Sequence, residues 1–231
     1  MDTVVVTGGS RGIGRAVASA FVDRGAHAVI CARDETGVEA AADRIDPSGE
    51  SITAVRADVR DEFDVERLME TAARAGSAEG IDCVVANAGV YRGTPGETRI
   101  GEERYGAFDD TLRTNVRGVF ATVREAIPHF NDGARILVPS GRIARDAMDG
   151  YGAYAVSKAA AEALVRQFAV ETAWTACVLD PGQVGTELTG NAKGREPAEV
   201  APMFVWAATA AEAGTLDGNV VGLGEWKRAT R

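Results

Sequence analysis

Val4-Val5-Val6-Thr7-Gly8-Gly9-Ser10-Arg11-Gly12-Ile13-Gly14 is the stretch whose reading decides the fold. Three consecutive β-branched residues read as a buried strand, and the apolar periodicity that follows from residue 13 reads as a helix. The glycines between them divide the work. Gly8 leaves the strand in a tight turn, Gly12 bares the backbone, and Gly14 lets the helix pack closely on the strand. Strand, turn and helix form the first part of a βαβ unit.

The same alternation continues outward along the chain. Apolar runs predict strands at 3–7, 27–32, 51–56, 82–86, 134–139, 175–179 and 219–222. Helical periodicity covers 13–24, 36–45, 62–75, 103–129, 151–173 and 197–212. Strands that alternate with helices call for right-handed crossovers, hence an α/β fold with a doubly wound, mostly parallel seven-stranded sheet flanked by helices. The Gly/Glu/Arg-rich stretch 92–104 reads as a polar loop. No repeat or linker breaks the pattern. At 231 residues and 45% hydrophobic, one domain spanning 1–231 can bury its own core.

Charge narrows the function. The net charge is −9, and no basic stripe is present, which argues against nucleic acid and against anionic membrane surfaces as partners. Arginine (22) far outnumbers lysine (3). Adaptation to a salty cytoplasm and an ordinary acidic protein from a GC-rich genome both account for this balance. A strand beginning at residue 3 and the lack of an 18-residue apolar run lead us to expect a cytoplasmic protein without a signal peptide. Cys31, Cys83 and Cys177 each fall in an expected strand and share no metal or redox spacing, so free buried thiols are expected. His27 and His129 stand alone, so no metal site is expected.

A second motif lies about 140 residues after the glycine turn: Tyr154-Ala155-Val156-Ser157-Lys158. Its phenol and ammonium stand at i and i+4, on one helix face. Tyr151 is the competing tyrosine, but the residue four on from it is Ala155. A glycine turn at a helix N-terminus accepts a pyrophosphate. A free Tyr titrates near ~10 and serves as a base at neutral pH only beside a cation. A nicotinamide dinucleotide is the simplest ligand that needs both motifs.

Together the motifs resemble those of the short-chain dehydrogenase/reductase family, in its compact single-domain form, over Thr3 to about Leu223. The resemblance implies a Rossmann-type sheet of order 3-2-1-4-5-6-7. It also implies that Tyr154 is the general acid/base, that Lys158 binds the nicotinamide ribose and lowers the tyrosine pKa, and that a serine polarises the carbonyl. Asn115 matches the asparagine linked to the proton relay. Cofactor contacts carry over to Gly8, Ser10, Arg11, Gly12, Ile13 and Gly14. They extend to Asp58 and Val59 at the adenine, to Asn87, Ala88 and Gly89 at the end of the fourth strand, and to Pro181, Gly182, Val184 and Thr186 at the carboxamide. Relatives of this kind assemble as dimers or tetramers through the two long helices, here 103–129 and 151–173.

Cofactor choice is read at the end of the second strand. An acid there favours NAD(H). Here Ala32-Arg33 ends the strand, and with Arg11 it favours NADP(H) over NAD(H), although Asp34 and Glu35 follow at once. The family serine stands 13 residues before the tyrosine, where this chain has Gly141. Ser140 is the catalytic serine if the loop carries one extra residue; otherwise the hydroxyl is absent or displaced. The expected activity is NADP(H)-dependent interconversion of a small-molecule carbonyl and an alcohol. The glycine spacing and the short C-terminal region argue against nucleotide-sugar epimerases, and the tyrosine–lysine spacing against enoyl reductases. A non-catalytic NADP-binding sensor or interaction protein is the alternative from another class.

Overall fold

A computed structural model of the chain describes residues 1–190 and 193–231. The strands are β1 (Thr3–Thr7), β2 (His27–Ala32), β3 (Ile52–Arg56), β4 (Ile81–Val85), β5 (Phe130–Pro139), β6 (Thr175–Asp180) and β7 (Val220–Gly222). All seven form one sheet, ordered β3-β2-β1-β4-β5-β6-β7, and every neighbouring pair is parallel. The sheet and its order agree with the sequence reading.

Side chains that alternate along each strand feed two layers. Val4, Val6 and Ile30 enter one core with α1 (Gly12–Val22), α2 (Glu35–Ile45) and α7 (Pro197–Thr209). Val5, Val29 and Val84 face the opposite side, against Leu68 and Met69 of α3 (Glu62–Ala72). Further along that side, Ile136 and Val138 meet Val123 of α5 (Gly118–Ala126) and Val165 of α6 (Gly152–Glu171). Each such large side chain taken out of water contributes about 1.5–3 kcal/mol, so the two layers hold the sheet from both faces.

The helix expected over 103–129 is not one helix. It begins as α4 (Tyr105–Leu112), widens into a π turn at Arg113–Arg117 and resumes as α5. In the π turn the Gly118 amide reaches back to the Arg113 carbonyl. Two short helices, α8 (Ala213–Leu216) and α9 (Leu223–Ala229), carry no pattern long enough to be read from sequence. β5 starts four residues earlier than expected, in the polar run Phe130–Gly133. Cys31, Cys83 and Cys177 are free and buried, and burial pushes the Cys31 and Cys177 thiols up to about 12. No described helix is long and apolar enough to cross a membrane.

Candidate active site

The glycine turn stands at the C-terminal edge of the sheet, where β1 hands over to α1. Gly12 takes φ +55°, a left-handed conformation that favours glycine. Gly14 is the close approach: a Cβ there would lie 2.3 Å from the Gly8 carbonyl oxygen and 2.5 Å from Asn87 Nδ2. No side chain caps the N-terminus of α1, so its first-turn amides are left for a ligand. Asn87 ties the turn to β4, since its Nδ2 donates to the Thr7 carbonyl at 2.9 Å. In return, the Thr7 hydroxyl accepts from the Asn87 and Ala88 amides, both at 3.0 Å.

A cleft of about 900 Å³ opens along this edge. Gly8, Ser10, Arg11, Gly12 and Ile13 line it from the turn, with Arg33 from the end of β2. Asp58, Val59, Asn87, Ala88, Gly89 and Thr186 also stand on its walls as expected, whereas Gly14 lies outside the lining. Sequence reasoning missed four contributors. Arg15 and Arg44 join Arg11 and Arg33, so four guanidinium groups border the cleft, with Asp34 beside them. Glu187 faces it from the segment after β6 and pairs with Arg11. Thr114 also lines it, and its hydroxyl is buried without a hydrogen-bond partner among the described residues. Arg15 and Arg44 lie on helix faces, where only the folded packing brings them to β2. Asp58 is held by Arg60 through contacts of 2.6–3.0 Å. Burial alone would raise the Asp58 carboxyl; Arg60 outweighs it and holds the group below the usual range.

Tyr154, Lys158 and Ser140 do not line that cleft. Asn115, 2% exposed within the π turn, connects the helix that bears Tyr154 and Lys158 to it. Its Oδ1 accepts from the Val90 amide at 2.8 Å, and its Nδ2 donates to the Val90 carbonyl at 2.9 Å. The same Nδ2 donates to Ser157 Oγ at 3.0 Å, and Ser157 in turn donates to the Tyr154 carbonyl at 2.8 Å. A side chain bonded to two elements at once explains the local widening, which in other helices often marks a functional position.

Tyr154 and Lys158 share one face of α6, with the Lys158 nitrogen 5.7 Å from the centre of the Tyr154 ring. Lys158 donates to the Pro139 carbonyl at 2.9 Å. Removal from water lowers its pKa to about 8, against a smaller upward pull from Glu162. Tyr91 stacks on Tyr154 with ring centres 4.8 Å apart and an interplanar angle of 26°. Burial first, then Tyr91 and Tyr151, push the Tyr154 phenol above its ordinary value. Ser140, at the end of β5, donates to Glu162 Oε1 at 2.7 Å. Gly141 has extended backbone, and a side chain there would meet open space. Pro181, Gly182 and Val184 follow β6 outside the cleft lining, with the Gly182 amide held by Asp180 Oδ1 at 3.0 Å. Of the segment between Thr186 and Pro197, Asn191 and Ala192 lie outside the described residues.

The short chain dehydrogenase family pattern matches residues 2–197. This chain belongs to the short-chain dehydrogenase family. It is 36% identical over 170 residues to the short chain dehydrogenase/reductase AacuN of Aspergillus aculeatus, covering 73% of this chain and 62% of that protein. It is 33% identical over 213 residues to an NADPH-dependent aldehyde reductase-like chloroplastic protein of Arabidopsis thaliana, covering 84% and 77%. A short chain dehydrogenase from Burkholderia cenocepacia solved in complex with NADP superposes with a TM-score of 0.83 at 25% identity, over 96% of this chain and 95% of that one. The chain therefore spans about three-fifths to three-quarters of the length of these two curated relatives.

Proposed function

We propose that this short-chain dehydrogenase, acting as a single domain over 1–231, is an NADP(H)-dependent oxidoreductase that interconverts a small-molecule carbonyl and its alcohol. The observation that carries the reading is Asn115, whose buried side chain joins the wall of the glycine-turn cleft at Val90 to the helix bearing Tyr154 and Lys158. Two motifs far apart in sequence become one site.

The cleft fits a dinucleotide. Gly12 and Gly14 leave no Cβ in the turn, the α1 amides are open, and the Thr114 hydroxyl lacks a protein partner among the described residues. Those amides would hold the diphosphate. Arg11 and Arg33, with Arg15 and Arg44 nearby, hold a 2′-phosphate; each charge-assisted contact is worth about 1.5–3 kcal/mol, enough to set a preference over NAD(H). Asp58 and Val59 would border the adenine, and Asn87, Ala88 and Gly89 the adenine ribose. Lys158 would hold the nicotinamide ribose, and Pro181, Gly182, Val184 and Thr186 the carboxamide.

When bound, the nicotinamide ring supplies or accepts the hydride. Tyr154 transfers the proton at the substrate oxygen. A phenol with its ordinary pKa of ~10 is protonated at neutral pH, so Tyr154 has a proton to donate. Ser140 acts as the second donor to the carbonyl oxygen. A hydroxyl has one proton, so Ser140 has to turn from Glu162 to do this. That commitment is what favours the alternative, a non-catalytic NADP-binding protein of the same fold.

The same reading places the protein in a reducing cytoplasm, where its three thiols stay free. It makes the protein a homodimer or homotetramer through α5 and α6, whose Phe120 and Phe168 stack 6.3 Å apart with Phe120 42% exposed. Light scattering across a concentration series tests the assembly; a monomer throughout removes it. The activity is tested by turnover of a panel of ketones and aldehydes with NADPH.

A further inference from the structure

Below Lys158, one helical turn further along α6, lies a charged group that the mechanism does not use. Glu162 is 3% exposed. Its Oε1 accepts from Ser140 Oγ at 2.7 Å and from Arg145 Nη1. Arg145, in the loop between β5 and α6, contacts Asp180 Oδ2 through its other terminal nitrogen. Asp180, 9% exposed at the end of β6, holds the Gly182 amide with Oδ1 at 3.0 Å. Lys158 and Glu162 meet the end of β5 at consecutive residues, since Lys158 bonds the Pro139 carbonyl and Glu162 the Ser140 hydroxyl.

Buried charge has to be compensated. Two carboxylates face one guanidinium, which leaves one negative charge in excess. Lys158 stands one turn before Glu162 on the same helix. We propose that Glu162 is a positioning residue for the reaction: with Arg145 and Asp180 it supplies the excess negative charge that keeps Lys158 an ammonium beside Tyr154. The inference rests on the oxidoreductase reading for its consequence, but the charge state itself is a property of the protein alone. Ser140 after β5 and Arg145 from the following loop contact Glu162, Asp180 from β6 joins it through Arg145, and Lys158 stands four residues before it on α6. Burial pulls Lys158 down to about 8, and Glu162 pulls it up.

The test reads Lys158 directly, in the full chain without cofactor. Dilute acetic anhydride acylates only the free amine, and mass spectrometry follows Lys158 through a pH series. Exposed Lys193 and Lys227 serve as internal references. Glu162→Gln keeps the shape and removes the charge; it is expected to move the Lys158 midpoint down by about one pH unit, a tenfold change in reactivity at fixed pH. Glu162→Asp keeps the charge on a shorter arm and is expected to stay near wild type. Arg145→Gln increases the excess negative charge and is expected to move the midpoint up. Opposite shifts from Glu162→Gln and Arg145→Gln support the proposal. A Lys158 midpoint that neither variant moves overturns it, as does a Glu162→Gln protein that behaves as wild type while Glu162→Asp is disrupted, the pattern of a role in shape alone. If Glu162→Gln does not fold, the sign of the Arg145→Gln shift decides. Lack of turnover in the wild-type protein counts against the oxidoreductase reading and leaves this labelling result intact.

Discussion

Tyr154 carries the chemistry in this account, and its removal is the simplest single-residue test. Tyr154→Phe keeps the ring stacked on Tyr91 and removes the transferable proton. Turnover is expected to vanish while NADPH binding stays within a few-fold of wild type; comparable turnover in the variant removes the proposed role. Ser140→Ala is expected to lower kcat by roughly 10²–10³, the usual cost of losing one donor to a developing oxyanion. A silent Ser140→Ala with a faster Gly141→Ser places the functional position at Gly141, where the backbone leaves room for a side chain. Arg33→Asp sets a carboxylate against a 2′-phosphate and is expected to lower the NADPH/NADH ratio of kcat/KM by about tenfold or more. An unchanged ratio assigns the discrimination to Arg11, Arg15 or Arg44. Much at this scale was legible, because the glycine turn and the Tyr-Lys pair depend on spacing alone. Glu162, Arg145 and Asp180 were not: their meeting depends on where β5, β6 and α6 converge, which no local pattern encodes.

At the scale of elements, strands were the most legible part. A buried parallel strand is an unbroken apolar run, and Val4-Val5-Val6 or Val29-Ile30-Cys31 has few other readings. The break between α4 and α5 was hidden, because it coincides with bonds from Asn115 to Val90, 25 residues away, which no local pattern encodes. Tight junctions carry their own test. Gly14→Ala forces a Cβ against backbone at 2.3 Å and is expected to cost about 1–3 kcal/mol of stability, read from urea unfolding. Wild-type stability in that variant means that α1 has slack the close approach denies. Asp64 anchors α3 to the end of β3, since it accepts from the Asp58 amide at 3.0 Å and pairs with Arg56 and Arg67. Burial works to raise its carboxyl; the Asp58 amide and the two arginines outweigh burial and hold it below the usual range. A depressed folded pKa contributes stability above the unfolded value, and that stability is lost as pH falls through the folded one. Asp64→Asn is therefore expected to cost about 1–3 kcal/mol at neutral pH, and less in acid. A loss that does not shrink as the pH falls contradicts the assignment to charge.

For the whole molecule, the net charge of −9 sits on a surface laced with arginine–carboxylate pairs, most of them exposed and easily screened. A salt series from low to multimolar concentration separates the two readings of that acidity. Stability that rises steadily with salt marks adaptation to a salty cytoplasm, and a flat response removes it. The fold was legible at this scale because one alternation runs the length of the chain. The substrate was not, because the segment after Thr186 is short and the wall over Tyr154 is built from Tyr91 and Tyr151, which meet only in the folded chain. The central claim is that the glycine-turn cleft and the Tyr154 face act as one oxidoreductase site. Its most direct test is NADPH consumption across a panel of ketones and aldehydes, with NADPH binding measured in the same sample. NADPH is expected to be consumed in step with the alcohol formed for at least one carbonyl class. Saturable NADPH binding with no turnover of any of them contradicts it and leaves a protein that binds the cofactor without the chemistry.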